Sequence, residues 1–241
     1  LGSGESFTSP EVAAVYSATG IDGTTNRIYS WLRARPSHPT NIRPRPLTLN
    51  VWEAVYFDHN LEKLTELATV AAEIGVERFV LDDGWFGSRR NDTSGLGDWL
   101  ISEEVWPNGL SPLIDFVNSK GMEFGLWFEP EMINPDSDLY RAHPDWALQL
   151  AGRPLITARN QLVLDISRPE VSDYLFGKIS ALLAAHPIGY LKWDHNRDLT
   201  TAGLADGAPG YRAQVHAASA LMARLRAAHP AVEIESCSGG G

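Results

Sequence analysis

From Leu47 onward the chain keeps one rhythm: a short apolar run, then an amphipathic stretch, then another apolar run. The apolar runs are Leu47–Glu53, Arg78–Asp83, Met122–Glu129, Leu162–Asp165, Ile188–Asp194 and Ala231–Glu235. Between them lie segments with helical spacing. Leu61, Leu64, Leu67, Ala68, Ala71 and Ile74 form one stripe, opened by Asp58 and stopped by Gly75. Ser111-Pro112 opens a second helix that ends at Gly121, and Ser167-Arg168-Pro169 opens a third through Val171, Leu175, Ile179 and Leu182. Tyr211 to Ala228 supplies a fourth, with Val215, Ala218, Leu221, Met222 and Leu225 on one face. Alternation of this kind defines an α/β fold with a parallel sheet, because runs apolar on both faces need cover on both. An open doubly wound sheet and a (β/α)8 TIM barrel share that rhythm. The strand ends decide for the barrel. Trp52-Glu53, Asp82-Asp83, Trp127-Phe128-Glu129, Asp165, Asp194 and Glu235 put polar or aromatic groups at the end of strand after strand. A barrel collects all its strand ends at one mouth, whereas an open sheet uses those beside its switch point. The expectation is a (β/α)8 barrel truncated after about six strands.

Residues 1–46 differ. They hold a β-like run at Val12 to Tyr16, a short helical stretch at Asn26 to Arg35, and Pro-rich text at Pro36–Pro46. This reads as the tail of a preceding β-rich domain plus a linker, with the catalytic barrel from 47 to 241. A formal charge of −10 argues against nucleic acid and anionic membranes as partners. There is no apolar run of membrane-spanning length. One cysteine, Cys237, permits no intrachain disulfide and is compatible with a reducing compartment, so a cytoplasmic location is expected.

The densest chemistry is Leu191-Lys192-Trp193-Asp194-His195-Asn196-Arg197. Along a strand Lys192 and Asp194 share a side, so an ammonium is expected beside a carboxylate, favouring its anion. The mouth as a whole gathers carboxylates, Arg, Lys and Trp, without a His/Cys cluster at metal spacing, a phosphate-cradling Gly motif or a nucleophile elbow. No cofactor is expected. Carboxylates and cations suit sugar hydroxyls, and an aromatic ring suits the apolar face of a pyranose. The same residues admit plainer roles. Asp82, Asp83 and Glu129 could bind a divalent cation, Trp52 and Trp127 could be core, Arg159 a surface charge and Cys237 a small buried hydrophobe.

Seven ordered motifs carry a resemblance. They are Asn50-Val51-Trp52-Glu53-Ala54, Asp82-Asp83-Gly84-Trp85-Phe86, Gly95-Leu96-Gly97-Asp98-Trp99, Gly125-Leu126-Trp127-Phe128-Glu129-Pro130-Glu131-Met132, Arg159-Asn160-Gln161-Leu162-Val163-Leu164-Asp165, Leu191 to Arg197, and Cys237-Ser238-Gly239-Gly240-Gly241. Together they resemble the α-galactosidases of glycoside hydrolase family 36. The resemblance implies a retaining hydrolase that removes terminal α-galactose from raffinose- and melibiose-type oligosaccharides. It implies Asp194 as nucleophile, Asp82 and Asp83 on the galactose O4 and O6 hydroxyls, and Trp127 lining the sugar. Arg159, Lys192 and Asn196 also bind sugar in that picture, and Trp52, Cys237 and Gly240 line the pocket. The family's acid/base aspartate follows the Cys-Ser-Gly-Gly-Gly motif, so it is expected beyond Gly241. Glu129, Glu131 and Glu235 are not put in its place. The chain alone is therefore expected to be inactive. Homotetramers are common in the family. Two other readings stand beside this one: a metal-assisted lyase or isomerase using Asp82, Asp83 and Glu129, and a non-catalytic carbohydrate-binding protein.

Overall fold

The computed structural model describes residues 2–9, 11–35, 43–200, 202–204, 207–208 and 210–237. The chain divides into two compact units, Leu1–Pro46 and Leu47–Gly241. In the first, helix α1 spans Gly20–Arg33 and buries none of its residues. The β-like run at 12–16 forms no strand, and no strand occurs among the described residues of this unit. A strand needs a neighbour to take up its N–H and C=O groups, and this unit offers none. Much of the expected Pro-rich linker, residues 36–42, lies outside the described residues.

The second unit is built on a curled parallel sheet, a partial (β/α)8 barrel with helices packed around it. Its elements in order are β1 (Thr48–Asn50), α2 (Trp52–Val55), α3 (Leu61–Glu73), β2 (Arg78–Leu81), α4 (Ser111–Ser119), β3 (Glu123–Phe128), β4 (Met132–Ile133), α5 (Asp138–Ala142), β5 (Leu162–Val163), α6 (Pro169–Ala185), β6 (Ile188–Trp193), α7 (Tyr211–Ala228) and β7 (Glu233–Ser236). Among the described residues the main sheet has five strands in the order β1-β2-β3-β6-β7. Every neighbouring pair in it is parallel. The expected count was six. The discrepancy is β5: Leu162 and Val163 pair antiparallel with Ile133 and Met132 in a separate two-stranded ribbon. A short buried apolar run satisfies either pairing equally, so composition does not distinguish them.

Local chemistry explains other departures. β1 stops at Asn50 because the Asn50 Oδ1 accepts the Trp52 N–H at 2.8 Å, turning the chain into the short helix α2 where strand was expected to run on to Glu53. The cap of α3 is Asn60, whose Oδ1 accepts the Lys63 N–H at 3.1 Å. Asp58, the expected cap, instead reaches the Lys63 ammonium at 2.9 Å. Gly125 sits where the β3–β6 register shifts, and a Cβ there would stand 2.9 Å from the Tyr190 ring and 3.0 Å from Val80. Only glycine lets the sheet close up at that point.

At the strand starts, Arg78 is buried, bonding Glu123 at 2.6 Å and Glu233 at 2.7 Å. Its guanidinium lies 3.9 Å from the Tyr190 ring centroid. One side chain thus ties β2, β3 and β7 together at the closed end. At the opposite end Trp85, Phe86 and Trp99, from the long loop between β2 and α4, pack with Trp127 and Phe128 of β3 in a buried aromatic cluster. No helix among the described residues is long and apolar enough to cross a membrane.

Candidate active site

The C-terminal strand ends converge on a cluster of carboxylates: Asp82 and Asp83 after β2, Glu129 after β3, and Asp194 after β6. All four are buried. Because isolated buried anions are costly, each must be held.

Asp82 Oδ2 accepts from Asn50 Nδ2 at 2.5 Å and from Lys192 Nζ at 2.8 Å, and its Oδ1 accepts the Asp83 N–H at 2.9 Å. The expected direct pairing of Lys192 with Asp194 is not formed. The curl of the sheet brings the end of β2 to Lys192, and Asp82 takes the ammonium, while Asp194 acts on it only through its charge. Burial works against the Lys192 charge, yet Asp82, with help from Cys237 and Asp194, outweighs it and raises the lysine above its ordinary value. Asp83 is gripped by Arg89, whose Nε donates at 2.9 Å and Nη2 at 2.7 Å. Arg89 is itself buried and also donates to Asn134 Oδ1 at 3.0 Å. Burial pushes the Asp83 carboxyl up, and the Arg89 bonds oppose it.

Asp194 is held on three sides. Its Oδ2 accepts from Trp127 Nε1 at 3.0 Å and Asn196 Nδ2 at 2.6 Å, and its Oδ1 accepts the His195 N–H at 2.9 Å. Its own N–H donates to the Phe128 carbonyl at 2.7 Å. A buried carboxylate with three fixed donors is preorganised as an attacking or charge-stabilising group. Cys237, after β7, lies beside it; burial and then the Asp194 charge push its thiol up. Glu129 accepts the Asn196 N–H at 2.6 Å and Gln161 Nε2 at 3.0 Å. Burial, then repulsion from Asp194, raises its pKa to about 7. Glu131 accepts from Trp193 Nε1 at 3.0 Å and stands 3.5 Å from His195 Nδ1. The Glu131 carboxylate beside it raises the His195 pKa against the effect of burial.

The structure therefore brings Asp82, Asp83, Trp127, Lys192, Asp194, Asn196 and Cys237 together. Trp52 is half-buried on α2, edge-on to Tyr56 and Phe57 at 5.2 and 5.1 Å. Arg159 is exposed, with a φ of 51°, and borders a cleft of about 710 Å³ with His195, Asn196, Arg197 and Cys237. That cleft is closed on its other side by α7 residues and is not lined by Asp82, Asp83 or Asp194, so it adjoins the carboxylate cluster rather than containing it. Gly240 lies outside the described residues. Sequence reading missed Asn50, Arg89 and Gln161, which hold the carboxylates. Asn50 and Gln161 stand inside quoted motifs, and Arg89 follows an Asp pair that needs a cation. Among the described residues no group of three or more His, Cys, Asp or Glu is arranged to hold a metal ion. Asp82 and Asp83 are each already bonded to a cationic side chain.

Fold and site together define a class: a (β/α)8-type domain whose mouth carries a clamped carboxylate flanked by cation-paired aspartates. Comparison with known proteins makes this specific. The Melibiase family model matches residues 6–241, and the chain belongs to that family. It is 45% identical to an α-galactosidase of Escherichia coli over 237 residues, covering 98% of this chain and 33% of the relative. It is 46% identical to α-galactosidase AgaA of Geobacillus stearothermophilus over 244 residues, covering 99% of this chain and 34% of the relative. A crystal structure of an AgaA variant in complex with raffinose superposes with a TM-score of 0.85 at 44% identity, covering 91% of this chain and 32% of that one. The chain thus spans about a third of the length of the curated relatives it matches.

Proposed function

We propose that this chain is the nucleophile-bearing part of a retaining α-galactosidase that removes terminal α-galactose from raffinose- and melibiose-type oligosaccharides. The observation that carries the reading is the Asp194 carboxylate, fixed by Trp127, Asn196 and the His195 N–H at the mouth of the half-barrel. Family membership and the raffinose complex of AgaA support the substrate class.

In this mechanism Asp194 attacks the anomeric carbon as an anion, and the glycosidic C–O bond breaks as the ester forms. The departing oxygen takes a proton from a second carboxyl group, which the family resemblance puts on the strand after the Cys237–Gly241 segment. That group then removes a proton from the water that releases galactose. Asp82 and Asp83 accept hydrogen bonds from the O4 and O6 hydroxyls, with Lys192 and Arg89 holding them in place. Lys192, Asn196 and Arg159 donate to other hydroxyls. Trp127, Trp52, Cys237 and Gly240 line the pocket. Assembly as a homotetramer and a cytoplasmic location belong to the same reading; light scattering and cell fractionation test them.

The test is covalent trapping. A mechanism-based galactosyl reagent applied to a full-length protein carrying these residues should label Asp194, found by peptide mass mapping. A label on another carboxylate contradicts the assignment. Sugar binding without label or turnover would select a binding protein, and loss of turnover in chelator would select the metal-assisted alternative.

A further inference from the structure

Glu129 is an expensive side chain to keep where it is. It is 1% exposed, and its hydrogen-bond partners, the N–H and side-chain amide of Asn196 and Gln161 Nε2, are all neutral. The charged groups that face it are Asp83 from the end of β2 and Asp194 from the end of β6, both of its own sign. His195, which also senses it, is engaged with Glu131. A glutamine would satisfy the same geometry without charge. Its amide oxygen would take the Asn196 N–H, and its amide nitrogen would donate to Gln161 Oε1, which has no hydrogen-bond partner among the described residues and can turn to meet it. Packing therefore does not require a carboxylate here.

The contacts of β3 suggest what does. Three successive residues grip the turn after β6. Trp127 holds the Asp194 side chain, Phe128 holds the Asp194 N–H, and Glu129 holds the Asn196 N–H. Asn196 in turn donates to Asp194 Oδ2 at 2.6 Å. A carboxylate acceptor makes a shorter and stronger bond to an N–H than an amide does, and the Glu129 bond is 2.6 Å long. We propose that Glu129 is a positioning residue for the nucleophile. Its charge-assisted bond locks the 194–196 turn, so that Asn196 aims the Asp194 carboxylate at the anomeric carbon. The role rests on Asp194 being the nucleophile.

The test compares wild type, Glu129→Gln and Glu129→Ala in a full-length protein carrying these residues. The readouts are the second-order rate of Asp194 labelling by a mechanism-based galactosyl reagent and the inhibition constant of free galactose. Misplacing a reacting group by about 1 Å costs about 10²-fold in rate, so Glu129→Ala should label about 100-fold more slowly. Glu129→Gln, which keeps the bonds but loses the charge, should label about tenfold more slowly at pH 8, where the wild-type carboxyl is ionised. Galactose affinity should change less than about threefold, since Glu129 is not among the sugar's proposed partners. Unchanged labelling in Glu129→Gln overturns the proposal, as does labelling that falls in step with galactose affinity. Should Glu129→Ala fail to fold, Glu129→Gln still decides. Wild-type labelling at another residue sinks the nucleophile reading itself, an outcome distinct from Asp194 labelling that ignores Glu129.

Discussion

Glu129→Gln should also make the protein more stable at neutral pH, and the size of the gain follows from proton linkage. The Glu129 pKa is raised from 4.5 to about 7, first by burial and then by Asp194. Between those values the folded state holds a proton that the unfolded state has lost. Stability therefore falls as pH rises through that window, and the loss is complete above about pH 7. The interval corresponds to a penalty of about 3 kcal/mol. Glutamine carries no proton to lose, so it escapes the penalty. Relative to wild type, the variant should gain little near pH 5 and most near pH 8, where the gain approaches about 3 kcal/mol and raises the melting temperature. Part of that gain is returned because an amide accepts the Asn196 N–H less strongly. The assay is the melting temperature of both proteins at the two pH values, in full-length form. A Gln variant whose advantage is the same at both, or smaller at the higher pH, refutes the reasoning. If the gain appears while nucleophile labelling slows, Glu129 trades stability for function.

Other groups give independent tests. The buried His59 has its pKa lowered from 6.5 to about 4, chiefly by burial and then by Arg90. The unfolded state binds the proton first, so stability should fall by about 3 kcal/mol as pH drops through this window. His59→Gln should flatten that acid limb; denaturant titrations across the range check it. Arg78→Met leaves Glu123 and Glu233 without their shared cation. It should cost about 3 kcal/mol, the low end for a broken buried pair because both glutamates keep some solvent, read as a lowered melting temperature with unchanged galactose affinity. Expressed as these 241 residues alone, about a third of the length of the relatives it matches, the chain should show no detectable turnover of an aryl α-galactoside if the mechanism proposed above holds.

Much of the sheet was legible because β2, β3 and β6 are largely apolar on both faces and are each followed at once by a carboxylate, a pattern that physics leaves few ways to satisfy. The run at Leu162–Asp165 shows the limit. Its burial was evident, but its partner is Met132–Ile133, a choice made by loop geometry at long range. The ends of the strands behave similarly. That Asp82, Asp83 and Asp194 share a mouth follows from topology, but which cation meets which carboxylate does not. Alternation along β6 puts Lys192 beside Asp194, and only the curl of the sheet delivers Lys192 to Asp82. Arg89, five residues past the Asp pair's following glycine, was invisible as a partner because its loop must fold back onto Asp83. The sequence admits Trp127 as core or as sugar contact; it is buried and also donates to Asp194.

The central claim, that Asp194 is the nucleophile of a retaining mechanism, is tested most directly by removing it and supplying a substitute. Asp194→Gly in a full-length protein opens the face from which the carboxylate attacks. With an aryl α-galactoside bearing a good leaving group, activity should be lost and then restored by added azide. The product should be the β-galactosyl azide, because azide enters from the side Asp194 occupied. Formation of the α-galactosyl azide, or a variant that hydrolyses substrate at the wild-type rate, would contradict the account.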